Sequence, residues 1–351
     1  MAIQAAFTLT ANEIYDTLAN MIISQEVFAD NIGKHQTLVD KARVDGGLYG
    51  DTKLYYATDV LASSAWGNDS EAANLLALDR AEDPEVQAIK LDVFRQIRLT
   101  VDNYLSKRAF SSEGAFASFN GVMLGWMRET KKVYDGTNYN VFIGTTVATG
   151  AGQSREIDLD ADNNSAGENI AKGMADLFTE MGDYNRDFND YGYLRSYADS
   201  DIKVVWNSAY INAIKKIDLP SIFHNEALEK MFVGDILPAR YFGTVNTAAK
   251  TADGTATRAL TELVIGTSHY FAGDLIKSGE EAPAGKSYQE TTDVICKVMV
   301  KLPPYMSAFE VGTTFFNPRS LTENHYLTFG HNTLQYLKNY PFITVKAASE
   351  L

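Results

Sequence analysis

Three aspartates at alternating positions form the clearest chemical motif of the sequence: Asp158, Asp160 and Asp162. Alternating carboxylates of this kind converge on a hard cation in calcium-binding loops. Such a loop also needs a glycine at its turn and a closing bidentate glutamate, and Asn163 and Asn169 stand at those two positions. The pattern therefore favours a solvated acidic loop, and calcium binding by the three aspartates is kept as the minor alternative.

Other residue types used in catalysis occur without the neighbours that they need. Residues 279–287 end like a phosphate-binding loop, but Glu280 stands where its first glycine should be. The five histidines lack a carboxylate or a second histidine at ligand spacing, and no nucleophile elbow or dinucleotide fingerprint occurs. Cys296, the single cysteine, lies in an apolar strand-like run, which favours a buried structural thiol. We therefore expect a protein that is not an enzyme and has no cofactor.

Composition and charge restrict the function further. The chain has 351 residues, and 45% of them are hydrophobic, which is enough for a large core in roughly two compact units. Its formal net charge of −14 repels nucleic acid, which argues against a duplex-binding regulator. No apolar stretch is long enough to cross a membrane, and the N-terminus does not resemble a secretory signal. The sequence thus predicts a soluble protein that is made in the cytoplasm.

The N-terminal half contains the elements with the clearest periodicity. Thr10 and Glu13 have capping-box spacing before an amphipathic segment, which predicts an N-terminal helix. In residues 85–101, most apolar side chains stand at odd-numbered positions and most polar ones at even-numbered positions. This alternation predicts a long strand with one apolar and one polar face. Because residues 41–80 are rich in glycine and poor in bulky side chains, residues 41–98 together read as an extended β-excursion that lacks its own core.

A long amphipathic helix follows this excursion. Ser111 and Ser112 are candidate N-caps, and the apolar stripe runs across about six turns, which predicts a core helix. The stripe consists of Phe116, Phe119, Val122, Met123, Trp126, Met127 and Val133. Gly121 and Gly125 share one face of that helix, which suggests the close approach of another backbone. Residues 141–144 are predicted to form a short strand.

The C-terminal half alternates between strands and helices. Ser165 and Glu168 form a second capping box, followed by an apolar helical stripe. Further helices are predicted at 207–217 and 226–232, and strands at 202–206, 236–242, 260–265, 294–302, 326–329 and 342–345. Together with a weak strand at 53–56, this mixture indicates an α+β protein.

The order of these elements resembles that of the major capsid protein of tailed bacteriophages. The order is an amphipathic arm, a long β-excursion, a spine-like helix, a compact mixed domain and a final return to strands. Residues 101–110, which precede the long helix, and 194–201, which precede a hydrophobic strand, are similar to capsid proteins of short-tailed phages. Residues 315–319, which read Phe-Phe-Asn-Pro-Arg, are also similar to that group.

The resemblance implies the tailed-phage capsid fold and a division of the chain into five parts. These are an N-terminal arm (1–40), an extended β-loop (41–98), a peripheral domain with the spine helix (99–150), an axial domain (151–314) and a return to the peripheral domain (315–351). It also implies that copies of the chain contact one another as hexamers and pentamers. The residues expected at those contacts are Met21, Ile22, Phe28, Tyr55, Tyr56, Ile89, Leu91 and Val93.

The same resemblance implies a function. Many copies would enclose packaged double-stranded DNA in an icosahedral shell of the virion, with DNA as a non-specific content. Its other partners would be a portal and scaffolding or decoration proteins, and no membrane. Three alternatives stay open: an encapsulin-like shell of a cellular compartment, a carboxylate- or metal-dependent hydrolase, and a non-icosahedral virion or surface-layer protein.

Overall fold

The computed structural model describes residues 38–46, 52–63, 80–102, 113–144, 153–161, 165–211, 234–246, 287–290 and 293–348. The described helices are α1 (Leu38–Ala42), α2 (Glu113–Gly144) and α3 (Ala166–Gly182). Residues 208–211, at the start of the helix predicted at 207–217, are also helical. The described strands are β1 (Arg43–Asp45), β2 (Thr52–Ala57), β3 (Glu85–Asp102), β4 (Ser154–Ile157), β5 (Lys203–Asn207), β6 (Asp235–Leu237), β7 (Gly243–Asn246), β8 (Ser287–Glu290), β9 (Val294–Met299), β10 (Tyr305–Asn317), β11 (Thr322–Asn332) and β12 (Phe342–Ala347). The predicted N-terminal helix, the helix at 226–232 and the strand at 260–265 lie outside the described residues.

The first sheet joins the two ends of the chain. Its strand order is β1-β10-β11-β3-β2. The long strand β3 pairs with β2 over residues 85–90 and with β11 over residues 91–102, antiparallel in both cases. Alternating residues of β3 are buried over its first half, as the parity of the sequence predicts. The predicted two-faced strand is therefore confirmed.

Helix α2 is longer than its predicted apolar stripe. It continues to Gly144, so the predicted strand at 141–144 is wrong. The β-branched and aromatic run resembles a strand locally, but Tyr139, Phe142 and Ile143 are fully buried against both sheets, and that packing keeps the segment helical. Among the described residues, nothing lies within 4 Å of a Cβ atom placed on Gly125, so their packing gives no reason for that glycine.

The second sheet has the order β4-β12-β9-β5-β6 and is covered by helix α3. Both hydrogen bonds of the predicted capping box are present: Ser165 Oγ accepts from the Glu168 amide, and the Glu168 carboxylate accepts from the Ser165 amide. The apolar face of α3 is buried on this sheet, so the predicted helix is confirmed. Its buried stripe comprises Ile170, Met174, Leu177, Phe178 and Met181.

A further predicted strand differs from the structure. The strand predicted at 236–242 is broken: β6 ends at Leu237, and a 3₁₀ turn spans Ala239–Tyr241 before β7 begins. Pro238 accounts for the break, since it has no amide hydrogen to donate to a neighbouring strand. Strand β3 continues across residue 98, and β12 lies in the second sheet, whereas β10 and β11 lie in the first.

Residues 38–46 and the end of α2 lie where the two sheets meet. One core contains α1 side chains, the buried end of α2 and residues of β9, β10 and β12. A second core lies between α3 and the second sheet. Among the described residues, no helix combines the length and the hydrophobicity needed to cross a bilayer.

Candidate assembly surfaces

The residues predicted at contacts between copies fall into three groups. Ile89, Leu91 and Val93 are buried within their own chain, on the inner face of β3. Tyr55 is half-buried, with its ring 5.6 Å from the Lys301 ammonium. Only Tyr56 of this set is largely exposed, at 65%. Met21, Ile22 and Phe28 lie outside the described residues.

A small apolar surface occupies the opposite face of the same two strands. Tyr56 and Val86 are directly paired across β2 and β3, and Leu54 lies two residues from Tyr56 on the same side. These side chains are 65%, 44% and 49% exposed, respectively. We call Leu54, Tyr56 and Val86 the ribbon face. Sequence parity separates the two faces of β3 but does not tell which face meets the chain's own core.

The end of β2 is fixed to a distant loop of the same chain. The Asp59 carboxylate pairs with Arg186 Nη1 at 2.5 Å and accepts a hydrogen bond from the Leu194 amide at 3.0 Å. The guanidinium of Arg195 donates to the Thr58 carbonyl at 2.6 Å. The Arg186 guanidinium holds the pKa of Asp59 down, at about 2. Sequence analysis missed this contact, because the partners are more than a hundred residues apart.

These contacts bear on the expected β-excursion. Residues 41–98 were expected to have a poor core of their own and to be stabilised by a partner surface. In the described parts of that stretch, β1 pairs with β10, β3 pairs with β11, and Asp59 binds Arg186. Part of the surface that stabilises this stretch therefore belongs to the same chain, and the contribution of a second copy stays a prediction.

A buried polar cluster connects α2 with the first sheet. Asp135 accepts from Lys131 Nζ at 3.1 Å and from the Tyr305 hydroxyl at 2.5 Å, and Arg43 reaches it at 3.6 Å. Asp135 and Lys131 are both buried, so each charge depends on the other. Burial and the adjacent carboxylate keep the pKa of Tyr305 well above its usual value. This cluster holds the helix against β10 and has no feature of a substrate site.

The buried histidine next to this cluster has a structural role. His331 Nε2 and the Tyr134 hydroxyl are 2.9 Å apart, and its Nδ1 is 2.9 Å from the Asn332 carbonyl oxygen. The imidazole stacks on the Tyr305 ring. Burial lowers the pKa of His331, which keeps the ring neutral near pH 7.

The acidic loop at 158–161 is organised around helix α3. Asp158 Oδ1 accepts from the Asp160 amide, which is a local turn of the chain. Asn169 donates its side-chain amide to the carbonyls of Leu159 and Ala161, so these carbonyl oxygens are already bonded. Asp162 lies outside the described residues. Asn169, which stands where a calcium loop has its glutamate, thus ties the loop to the helix.

Two buried groups of β9 lie at the centre of the second sheet. Cys296 is fully buried, and burial raises the pKa of its thiol, so the thiolate is disfavoured. Lys297 is also fully buried and donates to Thr344 Oγ1 at 2.6 Å. Burial, with a smaller effect of the Lys346 charge, lowers the pKa of Lys297 to about 7. The buried thiol agrees with the prediction. The burial of Lys297 was not predicted, because the apolar pattern of the strand does not show that its lysine is buried as well.

Solved structures with the same fold come from bacteriophage particles. No protein-family model and no curated protein sequence matches the chain. A chain in the capsid structure of Staphylococcus phage Andhra matches with a TM-score of 0.67 and 10% identity, over 93% of this chain and 88% of that chain. A chain in the structure of the head fiber and inner core protein gp22 of native bacteriophage P68 matches with a TM-score of 0.64 and 10% identity, over 92% and 87%.

At this level of identity, the similarity shows the fold and nothing finer. The chain has an α+β fold that matches phage capsid chains along nearly its whole length. The prediction of a tailed-phage capsid fold is therefore confirmed. The division into arm, loop, peripheral and axial parts stays a prediction.

Proposed function

We propose that the chain is the major capsid protein of a tailed bacteriophage and has a structural rather than a catalytic role. Copies of it form an icosahedral shell that encloses packaged double-stranded DNA. The observation that carries this proposal is the match to a phage capsid chain over about nine-tenths of both chains. In this proposal the protein is made in the host's cytoplasm and ends in the virion.

The ribbon face is the surface that we assign to contact between copies. It is apolar, exposed and held on a paired two-stranded ribbon, so its burial costs little conformational entropy. Tyrosines offer about 200 Å² of surface, so burying the exposed part of Tyr56 gives roughly 3 kcal/mol. In a closed symmetric shell, every copy would gain this burial free energy at the same contact. Arm residues Met21, Ile22 and Phe28 are proposed to add further contacts.

The charge of the chain suits a container for DNA. A net charge of −14 disfavours tight adhesion to phosphates, so the packaged genome is held as a non-specific content. A portal, and scaffolding or decoration proteins, are the remaining partners that we propose.

Electron microscopy of the purified chain tests the proposal. We expect closed shells of uniform diameter when the chain is expressed in bacteria alone or with its scaffolding protein. A chain that stays monomeric at high micromolar concentration in both cases would contradict it. Shells that carry a bacterial enzyme rather than DNA when isolated from their natural source would favour the compartment alternative.

A substitution on the ribbon face tests the proposed contact. Tyr56→Asp should leave the fold intact, because the side chain is exposed, and should raise the concentration needed for assembly about a hundredfold. Trp126→Asp is the matched control, since Trp126 is 58% exposed and lies on helix α2, outside the ribbon. Light scattering measures assembly, and thermal unfolding checks the fold. If both variants assemble at the same concentration, the ribbon face does not form the contact between copies.

A further inference from the structure

The contact between residues 58–59 and the loop at 184–197 joins two parts of the chain through the Asp59 carboxylate and the Thr58 carbonyl. Asp59 Oδ2 pairs with Arg186 Nη1, and Asp59 Oδ1 accepts from the amides of Leu194 and Val60 at 3.0 and 2.8 Å. Arg195 Nη2 donates to the Thr58 carbonyl. We call Thr58, Asp59, Arg186, Leu194 and Arg195 the clamp. Several charge-assisted bonds converge there on residues 58–60.

The loop side of the clamp is braced by its own hydrogen bonds. The Asn189 side chain bonds to both the amide and the carbonyl of Tyr193. Arg186 Nη1 also donates to the Gly192 carbonyl, and Gly192 has a φ of +66°, which favours glycine. The Arg195 guanidinium lies over the Tyr193 ring. None of these contacts involves Asp59, so bonds within the loop itself hold the groups that Asp59 meets.

The braced loop is in turn attached to the second sheet. The Asp190 amide donates to the Lys338 carbonyl at 2.8 Å, and the Asp190 carboxylate accepts from Gln153. Gln153 also accepts a hydrogen bond from the Phe342 amide at the start of β12. Asp59 is therefore one link between the ribbon of the first sheet and the framework of the second. Gln87 of β3 is another, since its side chain bonds to the Tyr336 carbonyl and the Lys338 amide.

Exposed apolar side chains lie on both sides of the clamp. Tyr56 of the ribbon face lies three residues before Asp59, and Val60 and Leu61 follow Asp59 with 54% and 76% of their surfaces exposed. The clamp thus fixes the direction in which these side chains are presented. We propose that Asp59 is a positioning residue for assembly, and that its pairing with Arg186 sets the angle of the ribbon, and so the curvature of the shell. This inference rests on the proposed function of the chain.

Asp59→Asn is the first test, because it keeps a side-chain acceptor for the Leu194 amide but removes the charge that pairs with Arg186. Arg186→Gln removes the same pair from the other side. The matched controls are Glu180→Gln and Arg155→Gln, which break an exposed two-bond ion pair of 3.0 and 3.2 Å between α3 and β4. Thermal unfolding confirms that all four variants are folded.

The first readout is the position of the ribbon in the unassembled chain. Spin labels are attached to cysteines introduced at two exposed positions. Lys90→Cys lies on the ribbon, and Asp201→Cys lies on the body of the chain. The buried Cys296 does not react in the folded chain. We expect a single narrow distance distribution for the parent chain and both controls, and a clearly broader one for the two clamp variants. An unchanged distribution in the clamp variants would overturn the positioning role.

The second readout is the shell itself. We expect the clamp variants to need about tenfold higher concentration to assemble and to give a wider range of diameters, with both controls like the parent chain. A broadened ribbon with normal shells would overturn the role in curvature. If the parent chain forms no shells, the proposed function fails, while the spin-label distances still decide whether the clamp positions the ribbon.

Discussion

Lys297 gives the sharpest prediction about stability. Its ammonium group is buried in the second sheet, where the described residues offer it one hydroxyl, Thr344 Oγ1, and the face of the Phe342 ring at 4.6 Å. Burial lowers its pKa from 10.5 to about 7, and the nearby Lys346 charge acts in the same direction. Keeping this lysine in the core therefore costs free energy at neutral pH.

The sign of the pH dependence follows from proton binding. Between pH 7 and 10.5 the unfolded chain binds a proton at Lys297 that the folded chain does not, so the free energy of unfolding rises with pH. Cys296 opposes this rise above about pH 8.5, where the unfolded thiol ionises and the buried thiol does not. From pH 7 to 8.5 Lys297 alone contributes a rise of roughly 2 kcal/mol, at 1.36 kcal/mol per pH unit.

Lys297→Met removes the buried charge and keeps a side chain of similar length. We expect the free energy of unfolding at pH 7 to increase by about 1–4 kcal/mol, even though the Thr344 hydrogen bond, worth about 1 kcal/mol, is lost. The rise between pH 7 and 8.5 should disappear. Urea unfolding of the unassembled chain, followed by fluorescence of the buried Trp206, measures both quantities.

Lys346→Met is the control for this substitution. Lys346 lies on the neighbouring strand, is partly exposed and reaches Asp293 at 3.7 Å, so its removal should change stability by less than about 1 kcal/mol. A Lys297→Met variant that is less stable than the parent at every pH, with the same slope, would refute the argument.

The other predictions concern helix α2 and its buried charge. Gly144→Ala should prevent folding, because the new Cβ would lie 2.1 Å from the Tyr241 carbonyl oxygen, whereas Gly125→Ala should stabilise the chain by up to about 1 kcal/mol; thermal unfolding compares the two. Comparable losses in both would contradict the packing. Asp135→Asn should cost about 3–5 kcal/mol in urea unfolding, because it leaves Lys131 buried without its nearest carboxylate. A loss under 1 kcal/mol would show that Glu310, 3.6 Å from Lys131, suffices as a partner.

The sequence predicted best where a local pattern and the final packing agree. Helix α3 has a capping box, an apolar stripe and one face to bury, and all three favour the same structure. Strand β3 was equally predictable because its two faces meet different environments along most of its length. The same reasoning failed at residues 141–144, where strand-forming residues lie at the end of a helix that both sheets hold in place.

Strand β10 was missed for a different reason. Gly312, Thr313 and Thr314 interrupt its apolar alternation, so no period of two is visible in the sequence. Its length instead depends on β11: residues 307–317 pair with residues 322–331 around a turn at Leu321, where φ is +55°. A partner supplied by tertiary structure cannot be read from the segment itself.

The Trp126 side chain illustrates the limits of a helical stripe. It was assigned to the buried face of α2, but it is 58% exposed, while Met127, the next residue, is buried. The predicted stripe contained both residues, which are 100° apart around the helix axis, so one of them can lie outside the buried face. Trp126→Asp should therefore leave the fold intact.

The two faces of β3 differ in whether they are free to contact another copy. The most apolar face, with Ile89, Leu91 and Val93, was expected to meet another copy, yet the chain's own core already covers it. A surface that is buried in the isolated chain contributes no further burial on association. If copies meet through this ribbon as proposed, the face that offers further burial is the less apolar one with Tyr56. In that proposal, the angle at which Asp59 holds this face sets the shell geometry.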